Sequence, residues 1–305
     1  MQIYDTPRGP DLRELVPRGT PMFPLESYDE EFSKFVLGYV PWHWHDDLEW
    51  VVVYEGAVEV HCGDGVHLLH TGEGICINGG VLHLLRPAPE AAGRPCKIFN
   101  FVFHPSLLYG MPESVLGQKY VRPMLTGGMP DAIVLSPRVC WQADALAQIE
   151  TAFHVYEQKN FGCEVAVLAA LFQVWYLLLT HLPAAAAAHP HTLSDARMKT
   201  MFTFLQAHFS EPLSIARIAA SADISESECF RCFRAILHTS PAAYLLDYRL
   251  RRAAELLAET GDSVTDICFA CGFNSPSYFA KMFAQTLKTT PRAYRNALQK
   301  SQTAN

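Results

Sequence analysis

Apolar residues follow two different patterns along the chain, and the pattern changes near residue 183. Between residues 35 and 104, short β-rich runs alternate with glycine-containing turns, which is typical of strands. We predict strands at residues 49–55, 57–62, 66–70 and 96–104. Several short strands at this close spacing indicate a β-sandwich or a small barrel.

The rest of the chain shows the three- to four-residue apolar spacing of helices. Residues 139–159 and 163–182 are predicted to form a helical hairpin. Beyond residue 195 we predict helices at 195–208, 214–222, 225–237, 241–259, 263–271, 275–287 and 291–298. Ser214, Ser225 and Ser275 precede apolar-periodic runs and are predicted N-caps.

A low-complexity segment, PAAAAAHPHTLSD at residues 183–195, marks the main domain boundary. At 305 residues the chain is also long enough for two cores. We predict a β-barrel domain over residues 1–137 and an all-helical domain over 196–300. Residues 138–182 form a helical segment between them, and its apolar stretch 165–179 suggests a homodimer contact.

The same apolar stretch is interrupted by Gln173 and is shorter than a membrane span, so it favours a buried helix. The first residues lack the hydrophobic core of a signal peptide. Nine cysteines without a close-set framework fit free thiols in a reducing compartment. The expected location is therefore the cytoplasm.

The net charge of −7 conceals an asymmetry between the two halves. Residues 1–194 carry 11 Lys and Arg against 21 Asp and Glu, a balance of −10. Residues 195–305 carry 13 against 10, a balance of +3. An acidic body with a mildly basic end is compatible with a regulated nucleic-acid binder.

The basic part of the chain, residues 195–305, contains an internal repeat. Residues 218–225 (IAASADIS) align with residues 267–275 (ICFACGFNS) at an offset of 49, which becomes 50 after the turn. Each copy is a short helix, a tight turn and a second helix. The turn holds Asp223 in one copy and Gly272 in the other, and both residue types tolerate left-handed backbone. This pattern predicts two helix-turn-helix units.

The second helix of each unit has an apolar face and a polar face. Arginine can form paired hydrogen bonds with guanine in the major groove, whereas serine and lysine mostly contact phosphate. The alternative is a solvated face of an ordinary helical bundle. The candidate DNA-contacting residues are Ser227, Phe230, Arg231, Arg234, Asn274, Ser275, Ser277 and Lys281.

Five segments of the C-terminal part follow a known family pattern. They are residues 219–233 (AASADISESECFRCF), 240–245 (SPAAYL), 249–257 (RLRRAAELL), 272–283 (GFNSPSYFAKMF) and 290–295 (TPRAYR). Together they resemble the C-terminal domain of the AraC-type bacterial transcription regulators. The resemblance covers residues 197–297. It implies two recognition helices, near 226–236 and 276–286, held one DNA turn apart by a long connecting helix. It also implies RNA polymerase as a partner if the protein is an activator.

A second cluster of candidate chemistry lies in the first half. On an extended strand, His43, His45 and Glu49 would project from one face together with Asp47. Two segments resemble the two motifs of the cupin barrel. They are residues 43–56, which contain His43, His45 and Glu49, and residues 72–83, which end in His83. In metal-binding cupins, residues at four positions of these motifs hold one ion. The matching residues of this chain are His43, His45, Glu49 and His83. His and carboxylate sets suit Fe(II), Mn(II), Ni(II) or Zn(II).

Two function classes remain open from the sequence. The first is a transcription regulator whose cupin-like domain binds a small effector, a sugar or another small metabolite, in a pocket with or without a metal. The alternative is a metal-dependent cupin enzyme, a dioxygenase or isomerase, with an appended DNA-binding module. Signatures of other enzyme classes are missing from the sequence, so we expect no catalytic residues.

Overall fold

A computed structural model describes residues 7–63, 65–91, 93–111, 113–125, 129–182, 193–237 and 239–302. Within these residues the first half contains nine strands. They are β1 (Leu25–Glu31), β2 (Val40–His43), β3 (Leu48–Glu55), β4 (Ala57–Cys62), β5 (Gly65–His70), β6 (Gly74–Ile77), β7 (His83–Pro87), β8 (Lys97–Phe103) and β9 (Ala132–Leu135). The four predicted strands correspond to β3, β4, β5 and β8 with ends within one residue.

The strands form two antiparallel sheets that pack face to face, as expected for a cupin-like barrel. One sheet has the order β1-β8-β3-β6-β9 and the other β2-β7-β4-β5. Alternate residues of β3 point to opposite sides. Val51 and Val53 belong to the core between the sheets, whereas Trp50 and Val52 belong to the core on the outer side of the first sheet.

A helical hairpin covers that outer side. After the short helix α1 (Ser106–Tyr109), helices α2 (Cys140–Gln158) and α3 (Cys163–His181) follow, close to their predicted bounds. Phe153 of α2 stacks on Phe99 of β8 with ring centroids 4.3 Å apart. By length and composition α3 could cross a membrane, but it contributes Val167, Leu171 and Val174 to the core with the sheet, as predicted for a buried helix.

Most of the predicted linker, residues 183–192, lies outside the described residues. Its last three residues belong to helix α4, so the predicted linker extends too far. The C-terminal helices agree with the predicted ones. They are α4 (Leu193–His208), α5 (Ile215–Ser221), α6 (Glu226–Leu237), α7 (Pro241–Glu259), α8 (Val264–Ala270), α9 (Pro276–Leu287) and α10 (Pro291–Gln302).

Helices α5 and α6 form one helix-turn-helix unit and α8 and α9 the other, with α7 connecting them. The turns have the predicted left-handed backbone, with φ of 53° at Asp223 and 76° at Gly272. A side chain at Gly272 would also meet the Phe209 carbonyl oxygen at 2.6 Å. Ser214 and Ser275 accept the predicted capping hydrogen bonds, and Ser225 accepts one from the Glu228 backbone at 3.2 Å.

The outer side of the second sheet packs against the first helix-turn-helix unit. Trp42 and Leu84 share one apolar core with residues of α4 to α7, including Phe202. The Tyr39 hydroxyl donates a hydrogen bond to the Asp247 carboxylate at 2.8 Å. Lys199 lies over the ring of Trp44, 3.5 Å from its centroid. The barrel and the C-terminal helices therefore share one continuous core.

Candidate functional site

Three histidines and one glutamate meet between the two sheets, which confirms that the four predicted ligand residues converge. The potential ligand atoms of His43, His45, Glu49 and His83 all lie within 4.8 Å of one another. Each of the four residues is at most 5% exposed. Polar groups buried this deeply need specific partners, because burial without them is costly.

The chain builds this cluster differently from the prediction of one continuous strand. Strand β2 ends at His43 and β3 begins at Leu48, and these strands belong to different sheets. His83 stands directly opposite His43 in the β2–β7 ladder. Asp47 was predicted on the same face, but it lies in the turn between the sheets, with its carboxylate 3.8 Å from the Arg18 guanidinium. Strand parity does not hold across such a turn.

Backbone carbonyls orient all three imidazole rings. The Nδ1 atoms of His43, His45 and His83 lie 2.9, 3.0 and 2.9 Å from the carbonyl oxygens of Pro41, Asp47 and Val81. A carbonyl oxygen only accepts, so each Nδ1 must carry the hydrogen. In a neutral ring the Nε2 lone pair is then left for the cluster. Each neutral ring therefore presents Nε2 as an acceptor, and a ring can donate from Nε2 only when it is protonated.

Glu49 occupies the centre of these acceptors. Its Oε2 atom lies 3.2 Å from His45 Nε2 and 2.9 Å from His83 Nε2, and its Oε1 accepts a hydrogen bond from the Asn100 amide at 2.9 Å. A carboxylate and an imidazole lone pair repel each other unless a proton or another cation lies between them. A proton or a metal cation between Glu49 and the rings would therefore stabilise the cluster.

The pKa shifts agree with this requirement. Burial opposes the charge on Glu49, but hydrogen bonds from His45 and His83 hold its pKa well below the usual value. Burial would lower the pKa of His45, yet its hydrogen bond and attraction to Glu49 raise it. Burial and the neighbouring His83 put the pKa of His43 well below its usual value. His45 thus favours a proton and His43 a free lone pair.

A cavity of about 170 Å³ adjoins the cluster, and Glu49 and His43 form part of its wall. The N-terminal segment 13–18 closes one side with Glu14 and Arg18, which form a buried ion pair. The sequence interpretation missed the wall residues Glu14, Arg18, Tyr28, Glu30 and Asn100. One signal was available, since Asn100 is the only polar residue within the apolar run 98–103.

The aromatic residues that flank the cluster in the sequence do not line the described cavity wall. Trp50 is in the core under the helical hairpin, and Trp42 and Trp44 are in the core shared with the C-terminal helices. Tyr54 is 40% exposed and donates a hydrogen bond to Asp29. Tyr28 and Phe35 supply the aromatic part of the described cavity wall instead.

On the C-terminal domain, all eight candidate DNA-contacting residues are exposed. In α6 the apolar face is buried through Cys229 and Phe233, while Phe230 remains 44% exposed on the other side. In α9, Phe279 and Phe283 are buried. The exposed candidates are Ser227, Phe230, Arg231 and Arg234 on α6, and Asn274, Ser275, Ser277 and Lys281 at and along α9.

Two of these residues already have partners. Glu228 holds Arg231 by two hydrogen bonds, at 2.8 Å to Nε and 2.5 Å to a terminal nitrogen. The Ser275 hydroxyl caps α9 by accepting a hydrogen bond from the Tyr278 backbone. Arg231 would therefore have to exchange Glu228 for a base, whereas Ser275 can still donate its hydroxyl hydrogen.

Comparison with known proteins matches both domains to one family. Residues 37–174 match the model of the AraC-like ligand binding domain, and residues 218–297 match a helix-turn-helix domain. The chain belongs to the AraC-type transcription regulators. This regulator therefore combines a ligand-binding domain with a helix-turn-helix DNA-binding domain.

Relatives of the regulator align with it along most of their own length. It is 28% identical to the uncharacterized transcriptional regulator YdeC of Bacillus subtilis, over 93% of this chain and 96% of that protein. It is 26% identical to the transcriptional activator RhaS of Escherichia fergusonii, over 85% and 88%. A solved transcriptional regulator of the AraC-type DNA-binding domain-containing proteins from Chromobacterium violaceum is 34% identical over 34% of this chain and 92% of that chain, with a TM-score of 0.33.

Proposed function

We propose that the regulator senses a small effector in the barrel cavity beside the histidine cluster and transmits its presence to the two DNA-binding units. The observation that carries this proposal is the position of β2. His43 at its end faces the cavity, while its neighbour Trp42 packs in the core shared with the DNA-binding helices. An effector that favours one position of this strand thereby changes how α6 and α9 are presented.

We further propose that a divalent transition metal occupies the cluster of His43, His45, Glu49 and His83. The donor set fits such an ion, because three Nε2 lone pairs and a carboxylate oxygen converge while backbone carbonyls anchor the other ring nitrogens. When bound, the metal would supply a fixed positive charge and a Lewis acid for an effector oxygen.

The metal proposal is tested on the full chain by elemental analysis and by calorimetric titration with Zn(II), Ni(II), Mn(II) and anaerobic Fe(II). We expect about one ion per chain, and loss of that binding in His45→Ala. The matched control is His154→Ala, which removes a 64% exposed imidazole from α2. Equal metal content in wild type and His45→Ala would contradict the proposal.

We propose that α6 and α9 enter successive major grooves of double-stranded DNA. The support is the exposed polar face of each helix opposite a buried apolar face. Selection of binding sites from a random DNA library by the full chain tests this. Each unit should specify its own half of the selected site, and Arg231→Ala should relax preference in only one half. A library that yields no enriched site would contradict the proposal.

We propose a homodimer that uses the hairpin, located in the cytoplasm, with RNA polymerase as a partner if the regulator is an activator. The support for the dimer is apolar surface along α3, where Val165 is 73% and Tyr176 61% exposed. Analytical ultracentrifugation of wild type and Val165→Glu tests this, with the variant expected to be monomeric. A wild-type chain that stays monomeric at micromolar concentration, with and without DNA, would contradict it.

A further inference from the structure

The side chains of the cavity wall include more carboxyl groups than basic groups. Arg18 is the only lysine or arginine among its described wall residues, and three carboxylates, of Glu14, Glu30 and Glu49, accompany it. Arg18 is already neutralised, because it forms an ion pair with Glu14 and lies 3.8 Å from Asp47. The histidine cluster surrounds Glu49. One of the three acidic side chains therefore remains without a partner among the described residues.

That carboxylate belongs to Glu30 on the edge strand β1. It has no hydrogen bond or ion pair within the part of the chain that the structure describes. The charged groups that influence it are Glu49 on β3, Glu14 and Arg18 on the N-terminal segment, and Asp29 beside it. Burial, with repulsion from Glu49 and Glu14, raises the pKa of Glu30 to about 8. A bound cation beside Glu30 would offset these effects, stabilise the ionised carboxylate and lower its pKa.

A second wall atom independently lacks a partner. Asn100 is 5% exposed, and its Oδ1 atom is buried without a hydrogen-bond donor among the described residues. Its amide orientation is fixed, because the Nδ2 group must face Glu49, which can only accept. Oδ1 is thus a buried acceptor that needs a donor. An unsatisfied buried acceptor of this kind is uncommon in folded proteins.

One donor in the wall is also unused. Arg18 Nε is buried without a hydrogen-bond acceptor among the described residues. The cavity, at about 170 Å³, is smaller than the roughly 300–1,000 Å³ of pockets for drug-sized ligands. The complementary ligand is therefore small, with a cationic group that donates several hydrogen bonds and an oxygen that accepts one.

We propose that the cavity binds a small primary amine that also carries a hydroxyl or carbonyl oxygen. The ammonium group would lie between Glu30 and Asn100 Oδ1, and the oxygen would face Arg18. An ammonium group fits because it offers three donors and one positive charge. This inference rests on the proposed effector site and names the chemical class of its ligand.

The test uses the full chain and three pairs of probes that differ only by an amine in place of a hydroxyl. The pairs are ethanolamine with ethylene glycol, 1-amino-2-propanol with 1,2-propanediol, and glycinamide with glycolamide. Binding is measured by isothermal calorimetry. We expect at least one amine to bind tenfold or more tightly than its hydroxyl counterpart. Glu30→Gln should weaken that amine by about tenfold to a hundredfold, the usual range for losing a charged hydrogen bond.

Two variants complete the design. Glu30→Asp keeps the charge and should retain a preference for the amine, whereas Glu113→Gln alters an exposed carboxylate and should leave binding unchanged. Equal binding of amines and hydroxyl counterparts, unchanged binding in Glu30→Gln, or no binding by any amine would overturn the proposal. A neutral or acidic compound that binds and alters DNA affinity would overturn the ligand class alone. DNA affinity that no class of compound alters would instead contradict the effector function.

Discussion

The Glu30→Gln substitution should change how the stability of the barrel depends on pH. Burial and the neighbouring carboxylates raise the pKa of Glu30 from 4.5 to about 8 in the folded protein. Below pH 4.5 the carboxyl is protonated in both folded and unfolded chains, so its titration costs no stability. Between pH 4.5 and 8 the unfolded chain releases the proton and the folded chain retains it. The wild type therefore loses stability as pH rises through this range.

The size of the effect follows from the shift. A rise of 3.5 pKa units, from 4.5 to about 8, corresponds to about 5 kcal/mol at about 1.4 kcal/mol per unit. The side chain retains partial solvent access, which reduces the effect. We therefore expect a loss of about 2–3 kcal/mol in the free energy of unfolding between pH 5 and 8. Glutamine does not titrate and should abolish this loss.

Urea denaturation at pH 5, 6, 7 and 8 measures the effect through tryptophan fluorescence. All five tryptophans lie before residue 176, so the signal reports on the barrel, its hairpin and, through Trp42 and Trp44, the core shared with the C-terminal helices. The quantity compared is the difference in unfolding free energy between wild type and Glu30→Gln, and Glu113→Gln is the control. A difference that stays constant from pH 5 to 8 would refute the assigned environment of Glu30.

Three further predictions concern other parts of the molecule. Tyr39→Phe removes the hydrogen bond to the Asp247 carboxylate and should lower stability by about 1.5–3 kcal/mol in urea denaturation. An equal loss in a variant that already carries Asp247→Asn would show that the bond contributes nothing. Arg231→Ala should cost about 1–3 kcal/mol in specific DNA binding if the arginine leaves Glu228 for a base, and fluorescence anisotropy on matched and altered sites measures this. Metal affinity at the cluster should fall as pH drops through about 6.5, because the ligating nitrogens must be unprotonated; calorimetry showing pH-independent affinity from pH 5 to 8 would contradict histidine ligation.

The sequence was sufficient for the helices because their signals are local. The serine caps and the apolar stripes of α6 and α9 fix each element from neighbouring residues alone. Strands β6 and β9 have four residues each and no lengthy alternation, so their pairing depends on contacts far away in the chain. Short strands of this kind escape pattern analysis because tertiary packing selects them.

The four residues of the histidine cluster could be predicted from the sequence, but the strands that bring them together could not. Spacing and resemblance identified His43, His45, Glu49 and His83, but the chain turns between two sheets after His43. The residues of the cavity wall could not be predicted from the sequence, for a different reason. Arg18 and Glu30 lie on a segment and an edge strand whose positions depend on long-range packing, and no local motif marks them.

The shared core on the outer side of the second sheet limits how freely the two domains can be recombined. Leu12, Trp42, Trp44 and Leu84 of the sensor half are packed with α4 to α7 of the other half, so neither half is complete at that surface. Chimeras that join this sensor to a foreign DNA-binding domain would expose these side chains unless the new domain offers a matching apolar surface. A transplanted sensor should retain its regulatory effect only when the facing residues, such as Phe202 and Met201, are transferred with it.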